Sequence, residues 1–235
     1  MPRRARVIVP GMPHHIVQRG HNKKAVFVEG GDYQYYLDNL VEWKNELGLA
    51  LYSYCLMTNH IHLIVKANDS VGSIGELMKR LAGRQTRYVN KKENRTGSLW
   101  ESRYKISPIQ TDSYLLQCCR YVELNPVKAL MVDKPEIYRW SSYAIKIGLI
   151  ENTSLDLDPC YLSLAQTEIS RRENYKSYVE AGTSFEEQKF IQNAVERNQL
   201  TGNYKFTDEI ESRLGVRVEY RGRGRPSRSK LGAVK

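Results

Sequence analysis

Tyr52-Ser53-Tyr54-Cys55-Leu56-Met57-Thr58-Asn59-His60-Ile61-His62-Leu63-Ile64-Val65 reads as two strands joined by a connector of only two residues. Residues two apart on a strand face the same side, so His60 and His62 project together while Ile61 points away. Thr58-Asn59 is short enough for an antiparallel hairpin, although it lacks the favoured Asn-Gly chemistry. Two imidazoles at this spacing can share one divalent cation, or serve as strand-edge histidines hydrogen-bonded to backbone. The motif alone does not choose between them.

Working outward, His14-His15-Ile16-Val17-Gln18-Arg19 follows a Pro10-Gly11-Met12-Pro13 turn and reads as a first strand, with His15, Val17 and Arg19 on one face. Gly30-Gly31 precedes a helix from about Asp32, an acceptable N-cap, to Glu46, closed by Gly48. Leu49–Met57 and His60–Lys66 are the second and third strands, and Ser73 opens a helix to Lys92 with Ile74, Leu77, Met78 and Leu81 on its apolar stripe. Leu99 to Ile106 leads into a fourth strand ending near Gln110. The order strand, helix, strand, strand, helix, strand predicts an α+β fold of the ferredoxin-like, split βαβ type: an antiparallel sheet with helices on one face. Beyond it the pattern predicts a helix over 114–124, a turn over 126–131, a short helix over 140–147, an acidic linker over 151–159, and helices alone over 160–214 with breaks near Gly182 and Leu200-Thr201-Gly202-Asn203. The expected organisation is a domain over 1–150, a helical extension over 151–220 and a basic tail over 221–235.

The balance of 36 Lys+Arg against 26 Asp+Glu gives a net charge of +10 and a pI near 9.4 over 235 residues. That excess suits a polyanion, with nucleic acid the default candidate. It has a local source: between Lys79 and Lys105 there are nine Lys/Arg and two Glu. Arg80, Arg84, Arg87 and Lys91 form a helical stripe, and Arg103 and Lys105 continue it into the fourth strand as candidate DNA contacts. Trp100 and Tyr104 lie among these cations and suit either base stacking or the core. Arg221 to Lys230 holds five cations, no acid and no aliphatic side chain. Such a segment does not order alone, and Arg223-Gly224-Arg225-Pro226 resembles the core of an AT-hook for an A·T-rich minor groove. Cys55, Cys118, Cys119 and Cys160 have neither metal spacing nor a secreted framework, which fits small buried hydrophobes in a reducing compartment. Met-Pro-Arg-Arg-Ala-Arg has no apolar signal core and no run reaches membrane-spanning length, so a cytoplasmic protein without membrane attachment is expected.

A second element stands about sixty residues past the histidines. On the predicted 114–124 helix, capped by Asp112-Ser113, Tyr121 and Asn125 lie one turn apart and can converge on one point. A phenol with an ordinary pKa near ~10 is a poor nucleophile at neutral pH. It can attack a phosphodiester when a cation polarises the phosphate. Two histidines and a side-chain carbonyl form a site that Mg²⁺ or Mn²⁺ can occupy with positions left for phosphate. Tyr121 as a packed core tyrosine is the plain alternative.

His60-Ile61-His62 followed by Arg120-Tyr121-Val122-Glu123-Leu124-Asn125-Pro126-Val127-Lys128-Ala129 resembles the single-tyrosine HUH transposases and, more narrowly, the REP-associated tyrosine transposases. Gly11 to Gly20, Ser98-Leu99-Trp100 and Trp140-Ser141-Ser142-Tyr143 carry the same likeness, which spans about residues 8–145. The resemblance implies a ferredoxin-like core, Mg²⁺ or Mn²⁺ held by His60 and His62 with Asn125, and Tyr121 as nucleophile on single-stranded, hairpin-forming DNA. It further implies a 5′-phosphotyrosine intermediate, a free 3′-hydroxyl, and either a monomer or a homodimer that shares tyrosine helices. Asn125 stands where insertion-sequence relatives often place glutamine, and Pro126 biases it away from helix. Replication initiators usually carry a lysine within a turn of the tyrosine, whereas Lys128 is seven positions on. Relaxases place the tyrosine before the histidines. A non-catalytic regulator that binds hairpin DNA or RNA is the alternative from another class, and a zinc nuclease lacks a third strong ligand.

Overall fold

The computed structural model describes residues 6–67, 72–151, 154–215 and 217–218. Four antiparallel strands, β1 (Pro13–Arg19), β2 (Leu49–Met57), β3 (His60–Ala67) and β4 (Lys105–Pro108), form one sheet in the order β2-β3-β1-β4. Helices α1 (Gly30–Glu46) and α2 (Ser73–Lys92) connect them in the split βαβ order. Together they make the α+β, ferredoxin-like arrangement expected from the alternation of elements.

Each face of the sheet has its own core. Ile16, Leu51, Tyr54, Leu56, Ile61, Leu63, Val65 and Ile106 pack with Tyr36, Leu40, Leu77, Met78 and Leu81 of α1 and α2. The opposite face carries Tyr52, Cys55, Met57 and Ile64 against Leu115, Cys118, Cys119, Tyr121 and Val122 of helix α3 (Thr111–Glu123). Strand alternation sorts the side chains this way, except at β2, where the register shifts between Leu51 and Ser53. That bulge lets Leu51 and Tyr54 share a face and turns Ser53 toward Glu123 of α3, to which its hydroxyl donates at 3.0 Å. Cys55, Cys118 and Cys119 are buried free thiols and Cys160 is half-buried.

Several boundaries differ from the sequence expectation for local reasons. Helix α1 begins two residues earlier, at Gly30, because Asp32 caps from inside the first turn: its Oδ2 accepts from Val28 N at 2.7 Å and Glu29 N at 3.1 Å. Helix α3 begins at Thr111, since Gln110 N is already paired with Thr201 O at 2.9 Å and no Asp112-Ser113 cap is needed. Strand β4 is short, for Glu101, Ser102 and Arg103 bend out to the surface while Leu99, Trp100 and Tyr104 turn inward. Trp100 and Tyr104 are both buried, and Trp100 Nε1 donates to Ala82 O at 3.2 Å. The core reading of these aromatics therefore holds over base stacking. The turn expected at 126–131 contains a helical turn, α4 (Asn125–Lys128). Pro126 does not push Asn125 out of helix there, because it sits in the first turn, where its missing N–H has no partner to lose.

Helix α5 (Tyr143–Lys146) falls within the short helix expected over 140–147, and α6 (Pro159–Leu162), α7 (Glu168–Glu180), α8 (Phe185–Arg197) and α9 (Tyr204–Leu214) follow the all-helical run expected after it. They also finish the sheet edges. Outside β2, Leu56 N donates to Trp140 O, Ser142 N to Tyr54 O, and Asp156 N to Leu51 O, at 2.8–3.0 Å. The expected acidic linker is thus pinned at Asp156, which also pairs with Lys44 at 2.6 Å. Outside β4, Thr201 N donates to Pro108 O at 2.8 Å and Ser107 Oγ meets Thr201 Oγ1 at 2.7 Å. The AT-hook-like segment with Arg223 and Arg225 lies outside the described residues. No helix among those described is long and apolar enough to cross a membrane.

Candidate active site

The β1–β3 register sets Val17 opposite His62 and Arg19 opposite His60. On this face His60 and His62 stand edge to face, ring centroids 5.0 Å apart, and His15 stacks on His62 at 5.2 Å. Helix α3 crosses above them and lowers Tyr121 onto the group, its ring edge-on to His62 at 5.9 Å and to His15 at 5.7 Å. Asn125, one turn on, donates through Nδ2 to Tyr121 O at 2.9 Å, which leaves its Oδ1 as the free end of the amide. His60, His62, Tyr121 and Asn125 line one cleft of about 680 Å³.

Hydrogen bonds orient both histidines. His60 Nδ1 lies 2.6 Å from Asn59 Oδ1, which can only accept, so Nδ1 carries the proton and Nε2 keeps its lone pair. His62 Nδ1 lies 2.9 Å from His15 Nε2, a fully buried contact. If His62 donates, its Nε2 is likewise an open donor atom, and the proton of His15 moves to Nδ1, which has no partner. Burial lowers the pKa of His60 to about 4, helped by Arg19, and that of His62 well below its usual value, helped by His60 and His15. Both are neutral at pH 7, as a ligand must be. Two imidazole nitrogens and an amide oxygen fit a hard or borderline divalent cation that retains open positions. Among the described residues no group of three His, Cys, Asp or Glu forms a further metal cluster.

Tyr121 is buried, and its pKa is raised to about 12 by burial first and then by Glu196 and Cys118. Its phenol is protonated at rest. Arg19, Arg103, Lys105 and Lys128 line the cleft together with only two carboxylates, Glu101 and Glu196. Of the six helix and strand cations marked in the sequence, Arg103 and Lys105 reach the cleft. Arg80, Arg84, Arg87 and Lys91 are carried on α2, across the sheet from the site. There Arg80 and Arg84 stack on Trp43 at 4.0 and 4.5 Å, and Arg84 also pairs with Glu42.

Sequence reasoning passed over three contributors. His15 required the β1–β3 register, for which the only signal was its place on the Val17 and Arg19 face. Lys128 required the break at Leu124 between α3 and α4. Gln188, Gln192 and Glu196 of α8 form the far wall of the cleft, and nothing in their local pattern marks them.

Residues 8–125 match the family model for IS200-like transposases. The fold also matches the solved structure of a REP-associated tyrosine transposase bound to a REP hairpin, with a TM-score of 0.56 and 14% identity over 67% of this chain and 93% of that one. A structure from Deinococcus radiodurans R1, described as that of a candidate transposase, aligns with a TM-score of 0.35 and 19% identity over 48% of this chain and 88% of that one. No curated protein matches the chain in sequence.

Proposed function

Because the chain belongs to the IS200-like transposase family, we propose that it cuts and rejoins single-stranded, hairpin-forming DNA, with Tyr121 as the nucleophile. The observation that carries this reading is the edge-on approach of Tyr121 to His62 within a cation-lined cleft. The REP-associated relative, solved on a REP hairpin, supports a palindromic DNA element as the substrate.

His60 Nε2, His62 Nε2 and Asn125 Oδ1 would hold Mg²⁺ or Mn²⁺. When bound, the ion supplies positive charge that polarises the scissile phosphate and favours the phenolate. The phenolic oxygen of Tyr121 then attacks phosphorus, its proton leaves to solvent, and the bond from phosphorus to the 3′-oxygen breaks. The 3′-oxygen takes a proton and departs as a hydroxyl, while the 5′-phosphate stays on Tyr121. Attack by another 3′-hydroxyl on that phosphotyrosine breaks the tyrosyl bond and joins the new strand. The ester keeps the bond energy, so the arrangement suits strand transfer more than hydrolysis. Arg103 and Lys105 would contact the strand entering the cleft. Exposed Arg87 and Lys91 would meet DNA outside it, and Arg223 and Arg225 would add minor-groove contacts.

The test is a labelled hairpin oligonucleotide with single-stranded flanks, incubated with Mg²⁺ or Mn²⁺ and run on a denaturing protein gel. A covalent adduct is expected from the wild type and none from Tyr121→Phe. An adduct that persists in Tyr121→Phe removes Tyr121 from the reaction. Binding without any adduct assigns the chain to non-catalytic hairpin recognition.

A further inference from the structure

Lys128 lies seven residues beyond Tyr121, and on an unbroken helix it would stand almost two turns away. Helix α3 ends at Glu123, Leu124 is a turn residue, and α4 restarts at Asn125. The side chain of Lys128 comes back onto the nucleophile, with Nζ 4.6 Å from the centroid of the Tyr121 ring. Nζ is shielded from solvent, yet it has no hydrogen-bond partner among the described residues. The carboxylate that acts on it most, Glu187, is already held by both oxygens on Arg120, at 3.0 and 2.8 Å. Burial lowers the pKa of Lys128 to about 8, so the group still carries its charge at pH 7. A shielded ammonium with no acceptor is costly, and the aromatic face returns only part of what water would give.

The cleft it lines with His60, His62, Tyr121 and Asn125 explains the missing partner. We propose that Lys128 is a catalytic residue whose ammonium binds a non-bridging oxygen of the scissile phosphate, held beside the Tyr121 ring until DNA supplies that oxygen. This rests on the strand-cleavage reading above and adds to it the group that neutralises the phosphate from the protein side. The buried cost of the free protein is relieved on substrate binding, so the charge acts where it is formed against phosphate rather than against solvent.

The test compares Lys128 with Lys128→Met, each in a Tyr121→Phe background with Mg²⁺ present. The probe is a fluorescent hairpin oligonucleotide whose single-stranded flanks carry one methylphosphonate at a time, which removes the charge of a single linkage. Anisotropy then gives the affinity lost on neutralising each phosphate. A charge-assisted hydrogen bond predicts that at one linkage the loss is about tenfold larger with Lys128 in place than in the K128M variant. That linkage should be the one cleaved by the wild type. Equal losses at every linkage, no binding, or coupling at a linkage other than the cleaved one would overturn the proposal. Adduct formation by the wild type without coupling leaves Tyr121 chemistry standing and removes Lys128. Coupling without any adduct keeps Lys128 as a phosphate ligand and removes the chemistry. Thermal melting separates a packing role: K128M should melt no lower than the wild type, because it deletes an unpaired charge, and a lower melting temperature assigns Lys128 to structure alone.

Discussion

Lys146 and Lys128 are both shielded ammonium groups attached to the region of α3, but their surroundings differ. Around Lys146, Glu123 accepts from Ser53 Oγ, Ser142 Oγ and Tyr175 OH at 3.0, 2.6 and 2.6 Å, and the ammonium lies 3.4 Å from Glu123 and 3.3 Å from Tyr175 OH. Asp158 adds a second carboxylate at 4.0 Å. Around Lys128 there is an aromatic face and no acceptor among the described residues. Tyr121 and Glu123, two residues apart and so on different sides of one helix, each point into one of these regions. The completed region fixes the helix against α5, α6 and α7. The other region holds Lys128, whose Nζ has no partner among the described residues. Both lysines are buried at Nζ, so what separates them is the pairing of the ammonium itself: Lys146 has a carboxylate and a phenol within reach, and Lys128 has no acceptor among the described residues.

The sharpest way to break this comparison is to unpair the completed side. Lys146→Met leaves Glu123 charged and buried and should cost about 3–5 kcal/mol in denaturant unfolding. A loss below ~1 kcal/mol would mean the two regions are not distinguished by pairing. Acid probes the two buried histidines of β1, one on each face of the sheet. His14 and His15 are buried neutral, with pKa values lowered by burial to about 4 and about 3, and His14 Nε2 accepts from Val9 N at 3.0 Å. Depressed histidines give stability that is fully present above the unfolded value of ~6.5 and is lost as pH falls toward their folded values. Each should remove about 1.4 kcal/mol per pH unit in that window. Melting temperatures that stay level from pH ~6.5 to ~4 would contradict their burial as neutral rings. His14→Gln should make the decline shallower.

A smaller effect tests the orientation of His62. His15→Leu removes the hydrogen-bond partner of His62 Nδ1 and should weaken Mn²⁺ binding about 10–100-fold by calorimetry, while His15→Gln, which keeps a hydrogen-bonding group, loses less. Equal affinity in His15→Leu and the wild type would show that His62 needs no such support. The smallest effect belongs to the opposite face of the sheet. Arg80→Gln gives up a partly exposed pair with Glu76 and the stack on Trp43, and should cost no more than about 1 kcal/mol. A larger loss in thermal melts would make that surface clamp part of the core.

The apolar half of the molecule was legible because its periods are regular. The α2 pattern starts at Ser73 and ends at Lys92 in sequence and structure alike, and the alternation in β3 puts Ile61, Leu63 and Val65 on one core. His60, His62 and Tyr121 were legible as types at a spacing. Their meeting was supplied by resemblance, since no local rule tells a helix sixty residues on where to lie. His15 is set by register between distant strands, Lys128 by a helix break where proline was expected to bias Asn125 away from helix, and the α8 wall by packing alone. Arg80 and Arg84 show what a charge stripe leaves unsaid: a helix also uses such cations to cover a neighbouring tryptophan.

The pairing of Thr201 with β4 has a consequence for synthesis. Ser107 and Thr201 are 94 residues apart in the chain. At ~5–20 residues per second, a ribosome needs roughly five to twenty seconds to make the segment that covers the strand it has already released. For that interval the outer edge of β4 offers unpaired backbone groups to any extended chain nearby. Slow translation or a stop codon ahead of residue 201 would lengthen the exposure, and the nascent chain would depend on chaperones to keep it from pairing with its neighbours.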